Sequence, residues 1–89
     1  MLSINEAIEK TSVLLKESQD DRSVQDLILG LQESATKLWA SYINNKDNKE
    51  INKRVASALM AVMILAERLE IKDLEKIYLS RLAELKLEL

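Results

Sequence analysis

Trp39 and Tyr42 stand three positions apart, and the basic residues Lys46, Lys49, Lys53 and Arg54 follow soon after. Aromatic rings beside a run of cations can stack on nucleic-acid bases and track phosphates. Here Asp47 and Glu50 interrupt the cations and no aromatic residue is interleaved with them, so a solvated hairpin of mixed charge accounts for that segment. Trp39 and Tyr42 are expected in a core or an interface, because aromatic residues beside a heptad seam usually are. Met60 and Met63 could make an adaptable binding surface, though Met in an apolar helix commonly fills gaps. Glu67, Glu70, Glu75, Glu84 and Glu88 lie among Lys and Arg neighbours, with no spacing that would share a proton or a metal.

The composition narrows the chemistry further. There is no Cys and no His, which removes disulfides, the usual zinc ligands, thiol nucleophiles and any Ser-His-Asp scheme. Asp, Glu, Lys and Tyr remain as candidate acids and bases. A net charge of -2 and a pI near 5.2 give no overall pull toward nucleic acid or anionic membranes. The longest apolar stretch, Val55 to Ala66, is too short to span a bilayer and contains Ser57. No secretory leader pattern marks the N-terminus. The expectation is a soluble cytoplasmic protein that binds neither nucleic acid nor membrane.

These side chains must be positioned by helices. The 89 residues include no Pro and one Gly, and Leu, Ile, Ala, Lys and Glu favour helix throughout. Ser3 with Glu6 forms a capping box, after which Ile4, Ala7, Ile8, Thr11 and Leu15 share a face. Ser23 with Asp26 starts a second helix, whose apolar seam reads Val24, Ile28, Leu31, Ala35, Leu38 and Tyr42, widened by Leu27 and Trp39. After the polar stretch 44–49, Ile51, Val55, Ala58, Val62, Leu65 and Leu69 repeat that spacing. Asp73 caps a fourth helix with Leu74, Ile77, Tyr78, Leu82, Leu85 and Leu89 on one face. The expected fold is a single all-α domain over residues 1–89, a compact four-helix bundle with helices at about 4–18, 23–43, 48–70 and 73–88. Gly30 inside the second helix suggests close packing against a neighbour.

The middle of the third helix is apolar nearly all round, since Leu59, Met60, Met63, Ile64 and Ala66 widen its seam. Such a helix is buried on several sides. A chain this small cannot easily wrap it, so Val55, Leu59, Val62, Met63 and Ala66 are the expected contact of a homodimer. A central helix of the chain's own core is the other reading. Leu85, Leu87 and Leu89 near the terminus would fray unless a partner covered them.

The stretch Asp26 to Ala40, DLILGLQESATKLWA, resembles the second-helix pattern of MazG-like and dCTPase-like all-α nucleotide pyrophosphohydrolases. There an apolar run leads into an EExxE motif, followed beyond a polar loop by ExxD and a phrase like LADRLGI. Here Arg54-Val55-Ala56-Ser57 stands at the ExxD position and Leu65-Ala66-Glu67-Arg68-Leu69-Glu70-Ile71 follows at the matching distance. The resemblance covers roughly residues 22–82, with Lys72 or Asp73 as an insertion. It implies a MazG-like bundle in which acids spaced i, i+3 on adjacent helices gather Mg²⁺ against a nucleotide's phosphates. At those positions this chain carries Ser34, Lys37, Arg54 and Ser57, and Glu33 alone remains of the motif's acids.

One cation about 6 Å from Mg²⁺ repels it by roughly 5 kcal/mol at an effective dielectric near 20. The resemblance therefore implies the fold and argues against the activity, with no catalytic residues, no metal and no cofactor expected. Glu33, Ser34, Lys37, Arg54 and Ser57 could instead line a cleft for an anion or another ligand, or Lys37 and Arg54 could be solvated surface charges, Arg54 pairing with Glu50. The expected function is a non-catalytic, regulatory protein acting through binding of another protein, an anion or a nucleotide. A residual Mg²⁺-dependent pyrophosphohydrolase using Glu33 is the enzymatic alternative. A small immunity or antitoxin-type protein is a third, because the polar loop before Ile51-Asn52…Val55 also resembles bacteriocin immunity bundles.

Overall fold

Every helix begins where a short polar side chain accepts a backbone N–H that helical geometry leaves free. Ser3 Oγ accepts from Glu6 N at 3.1 Å before Ile4–Ser18, which is α1. Ser23 Oγ accepts from Asp26 N at 3.1 Å before Val24–Ile43, α2. Asp47 Oδ1 accepts from Glu50 N at 2.9 Å before Asn48–Arg68, α3. Asp73 Oδ1 accepts from Lys76 N at 3.1 Å before Leu74–Glu88, α4. The computed structural model describes residues 2–88, and among these there is no strand. The expected bounds hold to within two residues, with α3 the shorter because Leu69 caps it. Leu89, assigned to the face of the fourth helix, lies outside the described residues.

The first three helices end in the same way, with a non-glycine residue in the left-handed region: Gln19 at φ 55°, Asn45 at φ 55° and Glu70 at φ 59°. The next N–H then reaches back into the last turn: Asp20 N donates to Leu15 O, Lys46 N to Ser41 O and Ile71 N to Ala66 O, at 3.0–3.1 Å. This reversal satisfies helix-terminal carbonyls and turns the chain back.

α3 is the central element. α2 packs along it, α1 lies against its C-terminal part, and α4 meets α1. Ser12 Oγ donates to Glu67 Oε1 at 3.2 Å to tie α1 to α3. Asn5 Nδ2 donates to Asp73 Oδ1 at 3.0 Å. Asn5 N donates to Glu75 Oε1 at 3.2 Å while Glu75 N donates to Asn5 Oδ1 at 3.4 Å. The starts of α1 and α4 thus cap each other, with carboxylates placed between two positive helix ends.

The core is thin. Ile8, Leu15, Leu27 and Ala66 are its buried apolar residues, joined by Thr11 and Ser41, and among the described residues no side chain reaches complete burial. Thr11 Oγ1 satisfies itself on Ala7 O at 2.9 Å. On α2 the inward face is Val24, Leu27, Leu31, Ser34, Leu38 and Ser41, whereas Ile28, Ala35 and Tyr42 of the expected seam are exposed. On α3 Ile51, Arg54, Ala58, Ala61, Leu65 and Arg68 are half-buried along one side, Met63, Ala66 and Glu67 are covered along another, and Val55, Val62 and Leu69 turn outward. On both helices three of the six expected seam positions hold and three give way to the residue one place earlier, which leaves a second apolar stripe in water.

The bundle is also extended rather than compact. Its radius of gyration is 14.8 Å, against about 12 Å for a compact domain of this length. Its accessible surface is 7140 Å², whereas a folded monomer of 10.2 kDa exposes about 5300 Å². Roughly 1800 Å² per chain is therefore unburied beyond the norm.

Gly30 does not mark a close helix contact: a Cβ built there meets nothing within 4 Å, and its φ is not positive. Its position opens on a groove, so the glycine costs helix stability without a packing return. Gly30→Ala is expected to stabilise the fold by about 0.5–1 kcal/mol and raise Tm by a few degrees, measured by thermal unfolding.

Candidate functional site

The connection of residues 44–47 makes α2 and α3 an antiparallel hairpin, and the hairpin has two flanks of different chemistry. One holds the positions singled out by the MazG-like motif. Ser34 and Ser57 line one cleft of about 260 Å³, together with Arg22, Gly30, Met60 and Ile64. Ser57 Oγ donates to Lys53 O at 3.0 Å, back into its own helix.

Glu33 and Lys37 line a separate shallow depression on α2 with Leu29 and Thr36. Arg54 is half-buried on the seam, where its Nε donates to Glu50 Oε1 at 3.0 Å. The structure therefore brings Ser34 and Ser57 together, places Glu33 and Lys37 beside them on another surface, and engages Arg54 in the Glu50 pair. Lys46, Lys49 and Lys53 share a shallow surface with Asp47 and Glu50, the mixed-charge arrangement expected of the loop.

These residues do not fit Mg²⁺. The ion needs several hard, preferably anionic oxygens, and the cleft offers two hydroxyls beside a guanidinium. Among the described residues, no three acidic side chains gather in a way that could hold a metal.

Arg22 was absent from the sequence-based site and carries the local electrostatics. Its Nε donates to both Asp20 carboxylate oxygens, at 3.0 and 3.1 Å. Arg68 of α3 completes the cluster: Nη2 donates to Asp20 O at 3.1 Å and Nη1 to Arg22 O. The guanidinium of Arg68 thus fastens the α1–α2 turn to the end of α3. The hydrogen bond from Arg22 holds the Asp20 carboxyl down at about 2, and Asp20 in turn raises the Arg22 pKa. No periodicity signals such a cluster, because its members lie in a turn and at a helix end.

The other flank carries no charge. Residues three, four and seven apart share a helix side, which groups Ile28, Gln32, Ala35, Trp39 and Tyr42 on α2, and Asn52, Val55, Leu59 and Val62 on α3. All of them are exposed. The two stripes are adjacent, because they lie to the same side of the two seams that face each other. Trp39 is 61% exposed and Leu59 55%, and the rings of Trp39 and Tyr42 sit 6.3 Å apart at 31°. Trp39 and Tyr42 therefore lie outside the chain's own core.

Of the expected dimer contact, Val55, Leu59 and Val62 are exposed and Met63 is half-buried. Ala66 is only 3% exposed. It belongs to the subunit interior beside Glu67, where α1 already covers α3, and is unavailable to a second chain.

No protein-family model, no curated protein and no solved structure matches this chain. Among the described residues it is all-α, with four helices, and no described helix is long and apolar enough to cross a membrane.

The Asp20 cluster generates a pH prediction. Because the folded pKa lies below the ordinary 3.8, its stabilisation is fully present above that value and is lost as pH falls through it toward 2. Asp73, lowered by its hydrogen bond from Asn5, contributes in the same direction. An acid-limb Tm series on the parent and on Asp20→Asn should show a shallower decline in the variant. Arg68→Ala, which leaves two turn carbonyls without their partner, should cost about 1–2 kcal/mol in urea unfolding.

Proposed function

We propose that this chain is a non-catalytic regulatory protein on a MazG-like helical hairpin, and that it works by binding protein, first of all as a homodimer through α3 and the adjoining face of α2. The observation that carries this reading is the uncharged apolar flank: Val55, Leu59 and Val62 exposed beside Ile28, Trp39 and Tyr42. Charge depletion with aromatic enrichment is the composition of interface centres, and a patch this continuous is uncommon on a monomer.

The opposite flank supports the non-catalytic part. Ser34 and Ser57, which stand where the resembled family has acids, share a cleft, while Lys37 and Arg54 lie outside it, so only part of the motif's set comes together and its donors differ. Of the cations near the cleft, Arg54 is engaged by Glu50 and Arg22 by Asp20. Pairing of this kind leaves little positive potential for an anion or nucleotide, and so the apolar flank is favoured over the cleft as the working surface.

Light scattering over a concentration series is expected to give twice the 10.2 kDa chain mass, with Tm rising with protein concentration as mass action requires. Leu59→Glu should shift the particle toward monomer and lower Tm, while Lys37→Ala should change neither. A panel of nucleoside triphosphates with Mg²⁺ or Mn²⁺ should leave Tm unmoved. A metal-dependent rise, with pyrophosphate release abolished in Glu33→Ala, would establish the enzymatic alternative instead.

A further inference from the structure

From Lys76 to Glu88 every described residue of α4 is exposed, including Ile77, Tyr78, Leu79, Leu82, Leu85 and Leu87. The apolar residues occupy more than one side of the helix, since Leu79 and Leu87 fall away from the line of Leu74, Tyr78 and Leu85. Six charged residues and Ser80 are interspersed among them, so no side is wholly apolar, and an isolated helix of 15 residues is marginal in water. Yet within the chain α4 is held only at its beginning, by the mutual capping of Asn5 with Asp73 and Glu75.

We propose that α4 is an exchanged arm: in a two-fold dimer, the α4 of each copy lies along the uncharged α2–α3 flank of the other. This rests on the homodimer reading above and names what occupies its working surface. Three observations select a second copy as the occupant. The unburied excess of roughly 1800 Å² per chain, relative to a compact monomer, is what each subunit of an obligate dimer buries. The arm and the flank match in length: Leu74 to Glu88 and Ile28 to Tyr42 each span about 21 Å at 1.5 Å per residue. The capping latch also fixes where α4 leaves the body, and a contact with another copy leaves those bonds intact.

The exchange covers both unpartnered surfaces with one symmetry operation. Packing two hairpins face to face would bury the flank and leave α4 in water. An isologous contact of arm on flank, made twice, closes the assembly and leaves no surface to propagate a fibre.

The chain has no cysteine, so introduced thiols report their neighbours without background. Leu82 and Leu59 lie near the middles of arm and flank, so they should meet whichever way the arm runs. Equal amounts of Leu82→Cys and Leu59→Cys, unfolded together, refolded and oxidised, are expected to give a disulfide-linked dimer on a non-reducing gel. Leu82→Cys mixed with Ser57→Cys, which lines the cleft on the opposite flank, should not. Leu85→Cys paired with Ala35→Cys serves as the second pair, with helicity checked by circular dichroism in every variant.

A dimeric mass with linkage of Leu59→Cys to itself and none to either arm cysteine overturns the exchanged arm and keeps the dimer. An intramolecular bond in the Leu59→Cys, Leu82→Cys double variant, at monomeric mass, shows the arm folding back in cis and overturns the proposal. A parent protein that is monomeric at every concentration overturns the dimer and the arm together.

Discussion

Apolar burial is the scarce quantity in this molecule, and the other features can be derived from it. An unfolded chain of 10.2 kDa exposes about 14,800 Å², so a folded surface of 7140 Å² removes only about half of it from water. Even small independent domains bury about three fifths. At roughly 25 cal/mol per Å² of apolar area, the missing burial exceeds the whole net stability of an ordinary domain. The helices nevertheless form with defined ends, because their boundaries are set locally. Four short polar caps and three left-handed reversals specify where each helix begins or turns, whatever the depth of the core. Helix boundaries are therefore set locally, whereas the arrangement of the helices depends on a shallow core.

Polar bonds stand in where apolar packing is short. Arg68 holds the α1–α2 turn through two backbone carbonyls, Ser12 and Glu67 join α1 to α3, and Asn5 joins α1 to α4. Each is directional, so each fixes an angle between elements that a sparse core would leave loose. Their net contribution is modest, about 1 kcal/mol apiece when partly exposed. They orient the helices without supplying the driving force.

The helices and their caps were legible in the sequence because they depend on near neighbours: Ser3, Ser23, Asp47 and Asp73 each act within three residues. The direction of the faces was not. A helix with two apolar stripes offers two seams of equal period, and following the regular four-three spacing picked Ile28, Ala35 and Tyr42 on α2, with Leu27 only widening the seam. The subunit instead turns Leu27, Ser34 and Ser41 inward. The candidate cleft was partly legible, since Ser34 and Ser57 do share it. Arg22 and the Asp20 turn were not, because contacts between a turn and a distant helix end leave no periodic trace. Gly30 misled for a related reason: a glycine within a helix signals close approach only when a neighbour is actually there.

The distribution of side-chain size gives this misreading a physical sense. The seam between α2 and α3 intersperses Leu27, Leu31, Leu38, Ile51 and Leu65 with Ser34, Ser41, Ala58 and Ala61, small residues that let two backbones approach but contribute little hydrophobic area. The large residues, Trp39, Tyr42, Val55 and Leu59, sit on the flank instead. If the chain functioned as a monomer, the opposite placement would be more stable by several kcal/mol, since burying each large apolar side chain is worth about 1.5–3 kcal/mol. Leaving Trp39, Tyr42 and Leu59 outside makes sense when their contacts are reserved for another polypeptide, as the dimer proposed above requires. On that proposal the hairpin is a pre-formed platform whose folding association would complete.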